Sequence, residues 1–131
     1  MYTDFDYYTD TYKGTLITEE AEFDLLAEKE SRYLDISTFY KLADEDVQDS
    51  LSEADLDKIN YCICELVDKQ KNYNDKIANV NTVGIKSESV DGYSITYITE
   101  QEKKEMELKL DIDKKKIIRE RLALTFLLFR G

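Results

Sequence analysis

The sequence predicts a mainly α-helical fold: a small single-domain bundle of about three main helices, with a short β-hairpin or extended ribbon between the second and third. Three observations carry this. Apolar residues recur at helical spacing in three stretches, each opened by a capping signal. Between the second and third stretches, Ile85 to Tyr97 reads IKSESVDGYSITY, two strand-like runs around Asp91-Gly92, a dipeptide that readily supplies the positive backbone angles of a tight turn. The length of 131 residues, 15.4 kDa, suits one domain with a modest core.

Taken in order, residues 1–17 hold four of the ten tyrosines, Tyr2, Tyr7, Tyr8 and Tyr12, interleaved with Asp and Thr. This reads as an extended N-terminal arm without regular structure. Its rings either serve an interface, where Tyr offers contact area at small entropic cost, or cover the protein's own core. Thr18 reads as an N-cap, followed by Glu19, Glu20 and Glu22 where the helix dipole favours negative charge. The first helical unit, residues 18–40, then carries a stripe of Phe23, Leu26, Ala27, Tyr33 and Leu34; the helix itself runs to about Leu34, and Asp35 caps a short turn through Phe39. The acidic stretch Ala43 to Asp49 reads as a solvated link.

The second helix, residues 52–74, opens on Ser52 with Asp55 three residues later, an approximate capping box, and aligns Leu56, Ile59, Ile63, Leu66 and Val67. Asn72, Asn74, Asn79 and Asn81 are poor helix formers, so Asp75 to Val83 reads as a loop. In the ribbon, residues 85–98, a turn at Asp91-Gly92 sets Val90 opposite Tyr93, Glu88 opposite Ile95 and Lys86 opposite Tyr97. The other face holds Ser87, Ser89, Ser94 and Thr96 and is almost all hydroxyl. A two-stranded ribbon is marginal alone in water, so it should lean on a neighbour in its own chain or another.

Thr99 and Glu102 form a second capping box at the head of the third helix, residues 99–129. Met106, Leu108, Leu110 and Ile112 alternate strictly with charged residues, which is strand periodicity, yet most residue types there favour helix. Helix is the preferred reading. If continuous, the element is roughly 45 Å long, more than a small core needs; a break at Asp111 or Asp113 is the alternative. The ending LALTFLLFRG is apolar on too many sides for a solvated terminus, so Leu127, Leu128 and Phe129 belong beneath the chain's own helices or in a neighbouring component, with Arg130 beside them for a carboxylate.

Composition narrows function. Twenty-nine Asp and Glu against 18 Lys and Arg give a formal net charge of -11, a surface that repels nucleic acid. Such charge is that of an ordinary soluble acidic protein or of a surface that imitates a DNA backbone. With no His and only four Gly, neither the commonest acid-base group nor a glycine-rich phosphate loop is available, and the reading is of a protein that is not an enzyme and holds no cofactor. Asp44, Glu45, Asp46 and Asp49 lack the spacing and turn glycine of a calcium loop, so no metal is expected. Cys62 and Cys64 lie two apart on a helix, where side chains diverge, and read as buried thiols. No apolar run approaches the roughly 20 residues of a membrane span, and the N-terminus lacks the features of a secretory signal, so a soluble chain made in the cytoplasm is expected.

Three separated blocks resemble the head-tail connector family of tailed bacteriophages, also called head-completion or adaptor proteins, in the family's order. The first comprises Phe23, Leu26, Ala27, Ser31, Arg32, Tyr33, Leu34, Asp35, Thr38 and Phe39. The second comprises Ile85, Lys86, Ser87, Glu88, Ser89, Val90, Tyr93, Ser94 and Tyr97, and the third Leu122, Thr125, Leu127, Leu128, Phe129, Arg130 and Gly131. Their co-occurrence, not any one block, carries the resemblance. Phe126 and Tyr40 stand where the family commonly has Gly, and Glu30 replaces a usual small residue.

The resemblance implies a structural virion protein at the head-tail junction, made in the host bacterial cytoplasm. It implies a ring on the portal, dodecameric in the virion, that extends the DNA channel without specific binding of DNA and offers a platform for a stopper or tail-completion protein. No membrane partner is expected. The subunit or partner interface then falls on Ile85, Ser87, Ser89, Val90, Tyr93, Ile95 and Tyr97 of the ribbon and on Leu127, Leu128, Phe129 and Arg130. The alternative is an acidic DNA mimic that inhibits a DNA-binding protein.

Overall fold

The computed structural model describes residues 2–78, 80–83, 87–90, 93–98 and 100–123, with main-chain placement alone for the strands. The chain is mainly helical: a π-helical turn at Tyr7–Thr11, then α1 (Glu20–Ser37), α2 (Glu45–Ser50), α3 (Glu53–Ala78), β1 (Val80–Val83), β2 (Ser87–Val90), β3 (Tyr93–Ile98) and α4 (Glu100–Leu122).

α3 is the central element. Ile59, Cys62, Ile63, Cys64, Leu66 and Val67 are all buried, so apolar side chains leave this helix on more than one side. It packs against α1 on one flank and α4 on another. Phe23, Leu26, Ala27 and Leu34 come from α1, and Ile118 and Leu122 from α4. The ion pairs Lys69–Asp113, at 3.5 Å, and Arg121–Glu65 set α4 antiparallel to α3, since rising numbers on one match falling numbers on the other. Both cysteines are free and fully buried, and burial pushes each thiol up to about 12, which leaves them as small apolar groups.

α3 opens where Ser52 Oγ accepts the Asp55 amide at 3.1 Å. It then continues four residues past the expected end at residue 74. Asn72 and Asn74 are solvent-facing, where a weak propensity costs only tenths of a kcal/mol. The i,i+4 pairs Gln70–Asn74 and Lys71–Asp75 span the same turns. The stretch expected as a loop from Asp75 to Val83 is thus helix to Ala78 and then a strand.

That strand changes the expected ribbon. β1 pairs parallel with β3, and β2 pairs antiparallel with β3, giving a three-stranded sheet in the order β1-β3-β2 instead of an isolated hairpin. The physical reason is the marginal stability of two strands alone, which a third strand relieves. Asp91 and Gly92 lie outside the described residues.

α4 runs without a break through Asp111 and Asp113. Its alternating segment becomes two stripes on a 3.6-residue period. Met106 and Leu110 turn toward α3, while Leu108 and Ile112 are 61% and 55% exposed. Neither aspartate caps a new helix: Asp111 is held by the Tyr33 hydroxyl and Lys115, and Asp113 by Lys69. Thr99 and residues 124–129 of the expected third helix lie outside the described residues.

Residues 2–17 are no extended arm. Tyr8 is fully buried against Phe23, with ring centroids 4.9 Å apart, and Tyr2, Phe5, Tyr7 and Tyr12 pack around the core. Each hydroxyl reaches a carboxylate: Tyr2 donates to Asp35, Tyr7 to Asp57, Tyr8 to Asp68 and Tyr12 to Asp68. Such a ring contributes apolar area while its polar tip is satisfied. Ile17, 2% exposed, donates its amide to the Tyr8 hydroxyl. Ile17 is drawn inward, and α1 begins at Glu20, two residues past Thr18, with Glu19 in the cap position and no side-chain cap.

Two elements differ between α1 and α3. α1 persists to Ser37, and the chain then reverses with Phe39 at φ 56° and Tyr40 at φ 60°. The Tyr40 amide bonds the Asp35 carbonyl at 2.7 Å, closing the helix end in the manner of a left-handed C-terminal cap. The acidic link contains the short α2, whose first turn is fixed by Asp44 accepting the Asp46 amide at 2.8 Å. Leu42 and Leu51, buried on either side of α2, pin both its ends to the core.

Candidate interaction surface

The expected interface residues of the ribbon fall on the sheet. Ser87 pairs with Thr96, Glu88 with Ile95, Ser89 with Ser94 and Val90 with Tyr93, so Ser87, Ser89, Val90, Tyr93, Ile95 and Tyr97 occupy register positions on β2 and β3. β3 is the middle strand, and each outer strand has one edge without a strand partner among the described residues. An open edge offers main-chain donors and acceptors to a neighbouring chain. Ile85, Leu127, Leu128, Phe129 and Arg130 lie outside the described residues.

The last described turns of α4 are firmly attached. Ile118 and Leu122 are buried, and the Arg121 guanidinium bonds Glu65 and lies 4.7 Å from the Tyr61 ring centroid. The segment leading into LALTFLLFRG is therefore fixed to α3.

Several features of the surface were not read from the sequence. At the junction of α1, α3 and α4, Lys114 Nζ sits 2.8 Å from Glu30 Oε1 and 2.6 Å from Gln70 Oε1, and 5.0 Å from the Tyr33 ring centroid. Both charges are buried, and Glu30 Oε2 has no hydrogen-bond partner among the described residues. Burial raises the Glu30 carboxyl above its usual range, and the Lys114 contact opposes but does not cancel this. No one-dimensional signal marks such a pair, because it forms only when helices from distant parts of the chain meet.

A groove of about 460 Å³ lies between α3 and α4, with Lys69, Lys76 and Lys109 around Tyr73, Met106 and Leu110. At the other end of α3, Asp44, Glu45, Asp46 and Asp49 form an exposed acidic knuckle on α2. A third exposed region joins Ile36 (61%), Phe39 (47%) and Tyr40 (63%) at the C-terminal end of α1. The sequence did single out the acidic run, but as a solvated link and a rejected metal site. Among the described residues, no group of three or more Cys, Asp or Glu could hold a metal ion, and no helix is long and apolar enough to cross a membrane.

The described surface thus carries strand edges without a strand partner among the described residues, exposed apolar side chains, a lysine-lined groove and an acidic knuckle. Compared with known proteins, the chain matches no family model, no curated protein and no solved structure.

Proposed function

We propose that the chain is a phage head-tail connector, a structural protein that forms a ring on the portal, extends the DNA channel and carries the stopper or tail. The observation that carries the reading is the backbone at Tyr40. The resemblance puts a glycine at this position, and the chain holds it at φ 60°, a conformation that favours glycine and costs other residues roughly 1–2 kcal/mol. A backbone that favours glycine at this position is compatible with the glycine that the resemblance puts there, and this supports the reading. Glu30 takes the place of a small residue and is 2% exposed, with Lys114 bonded to one of its two carboxylate oxygens.

In this reading the sheet lies at a subunit boundary or along the channel, where an outer strand pairs with a neighbouring chain, and α4 presents Leu108 and Ile112 to a second subunit. The C-terminal residues Leu127 to Arg130 dock against the portal. The excess of carboxylates keeps passing DNA from sticking.

The DNA-mimic alternative needs a continuous acidic face, and α4 argues against one there. Its outer surface alternates sign through the pairs Asp111–Lys115, at 2.9 Å, and Lys116–Glu120, at 3.9 Å.

Co-sedimentation of the purified chain with the portal ring of the same virus tests the proposal. Saturation at the portal's own symmetry is expected. A folded chain that leaves the portal bare at all concentrations would overturn the connector reading and bring the DNA mimic forward.

A further inference from the structure

The groove between α3 and α4 gathers three lysines on a chain with 29 acidic side chains against 18 basic ones. Among the described residues, Lys69, Lys71, Lys114, Lys115 and Lys116 are ion-paired. Lys69 has Asp113 at 3.5 Å, but Lys76 and Lys109 have no ion-pair partner among the described residues. These two ammonium groups flank Tyr73, Met106 and Leu110, with Asp113 on the same wall beside Lys69 and Glu107 at the Tyr73 hydroxyl. The arrangement suits an occupant that is acidic and carries some apolar surface.

The acidic knuckle has the matching properties. Its four carboxylates, Asp44, Glu45, Asp46 and Asp49, make no ion pair among the described residues, and buried Leu42 and Leu51 fix both ends of the segment. Just beyond it, in the first turn of α3, Leu56 is 41% exposed and supplies an apolar side chain. The knuckle precedes Glu53 at the head of α3, and the groove is centred near Tyr73, so roughly 30 Å of helix separates them at 1.5 Å per residue. One copy cannot bring its own knuckle to its own groove.

We infer that the acidic knuckle of one copy docks in the lysine groove of the next. The occupant is a second copy of this chain, and charge complementarity between two rigid, opposite ends of one molecule is the ground for it. Two different patches in contact make a heterologous interface, which propagates head to tail and closes into a ring when the rotation allows. The inference rests on the reading of the chain as a ring component and assigns that ring one of its interfaces. Opposite charge also sets register and excludes wrong orientations, since groove-to-groove or knuckle-to-knuckle approach is repulsive.

Zero-length carbodiimide cross-linking tests this, because it joins a carboxylate directly to a lysine amine. The reaction is run on the free chain at high concentration and on the portal-loaded chain, with cross-linked peptides mapped by mass spectrometry. Links from residues 44–49 to Lys76 or Lys109 are expected in cross-linked dimers, and the helix length makes them intermolecular. Because K76E/K109E also removes the amines that the reagent needs, the charge-reversal arm is read without cross-linker by sedimentation velocity: K76E/K109E and D46K/D49K alone should each lower the dimer fraction at least about 10-fold, and mixing them should restore it. Both variants alter exposed positions, and circular dichroism checks their helix content.

Dimers linked elsewhere, dimers unaffected by charge reversal, or no links in either sample would overturn the inference. Portal saturation without knuckle-to-groove links removes this contact alone. Absence of portal binding removes the connector reading instead.

Discussion

At the scale of single residues, Tyr40 and the Glu30–Lys114 pair hold a conformation and charges that a freely chosen sequence avoids. Tyr40 is 63% exposed yet sits at φ 60°, so most of its ring gains no burial in return for the strain. Tyr40→Gly should stabilise the chain by about 0.5–1 kcal/mol, the relief of left-handed strain less the greater entropy of glycine in the unfolded state. Denaturant unfolding measures it, and a loss above about 1 kcal/mol would show that the exposed ring makes contacts that outweigh its strain. The second case is Glu30 with Lys114. Removing one partner leaves the other charged and buried, so Glu30→Met or Lys114→Met alone should each cost about 3 kcal/mol. The double replacement by Met should cost less than either single change. Costs that simply add would show two independent packing effects.

At the scale of elements, the N-terminal segment behaves as part of the core. Gly14 approaches Tyr8 so closely that a Cβ there would enter the ring, and Tyr8 is backed by Phe23 and Phe5. Gly14→Ala should therefore cost about 1–3 kcal/mol, an overpacking penalty read from the unfolding midpoint. The tyrosine hydroxyls also link this segment to pH. Burial, followed by the Asp68 contact, pushes Tyr8 from 10.0 up to about 12, and burial raises Tyr2, Tyr7 and Tyr12 in the same direction. A group raised in the folded state binds its proton more tightly there, so its contribution is complete below the unfolded value and fades as pH climbs toward the folded one. For Tyr8 that window is pH 10 to about 12. Stability should fall with rising pH across it, with tyrosinate absorbance appearing together with loss of helix. Ionisation well before unfolding would mean that the hydroxyls are solvated.

The same elements show what the sequence could convey. α3 was legible because its apolar stripe and Ser52 signal are local, and α4 was legible as helix because residue propensity outweighed a misleading alternation. The burial of Tyr8 was not, because a ring that covers a core and a ring that waits for a partner have the same local pattern. β1 was missed for a related reason. Val80 to Val83 reads VNTV, with Val80 between two asparagines and Val83 followed by Gly84, weak strand evidence until β3 supplies a partner. The candidate interface was placed on the sheet by its residues alone, whereas the groove and knuckle required knowing that α3 holds them apart and that α4 closes one wall.

At the scale of the whole molecule, α4 is held to α3 at its last described turns by Arg121 on Glu65 and by Ile118 and Leu122 among the buried residues. The apolar ending Leu127 to Gly131 follows a helix already attached to α3. Removal of residues 127–131 should therefore lower stability by no more than about 1 kcal/mol, the scale of changes away from a packed core. Portal loading should be lost at the same time, if this segment is the contact that the connector reading assigns to it. Unfolding and portal co-sedimentation on the same preparation separate the two roles. A truncated chain that melts with the loss of several kcal/mol makes the ending part of the core, and one that stays folded and still saturates portals moves the portal contact elsewhere. In the second case the remaining exposed apolar groups, Ile36 and Tyr40 at the end of α1 or Leu108 and Ile112 on α4, become the surfaces to test, because each combines an exposed side chain with a rigid helix behind it.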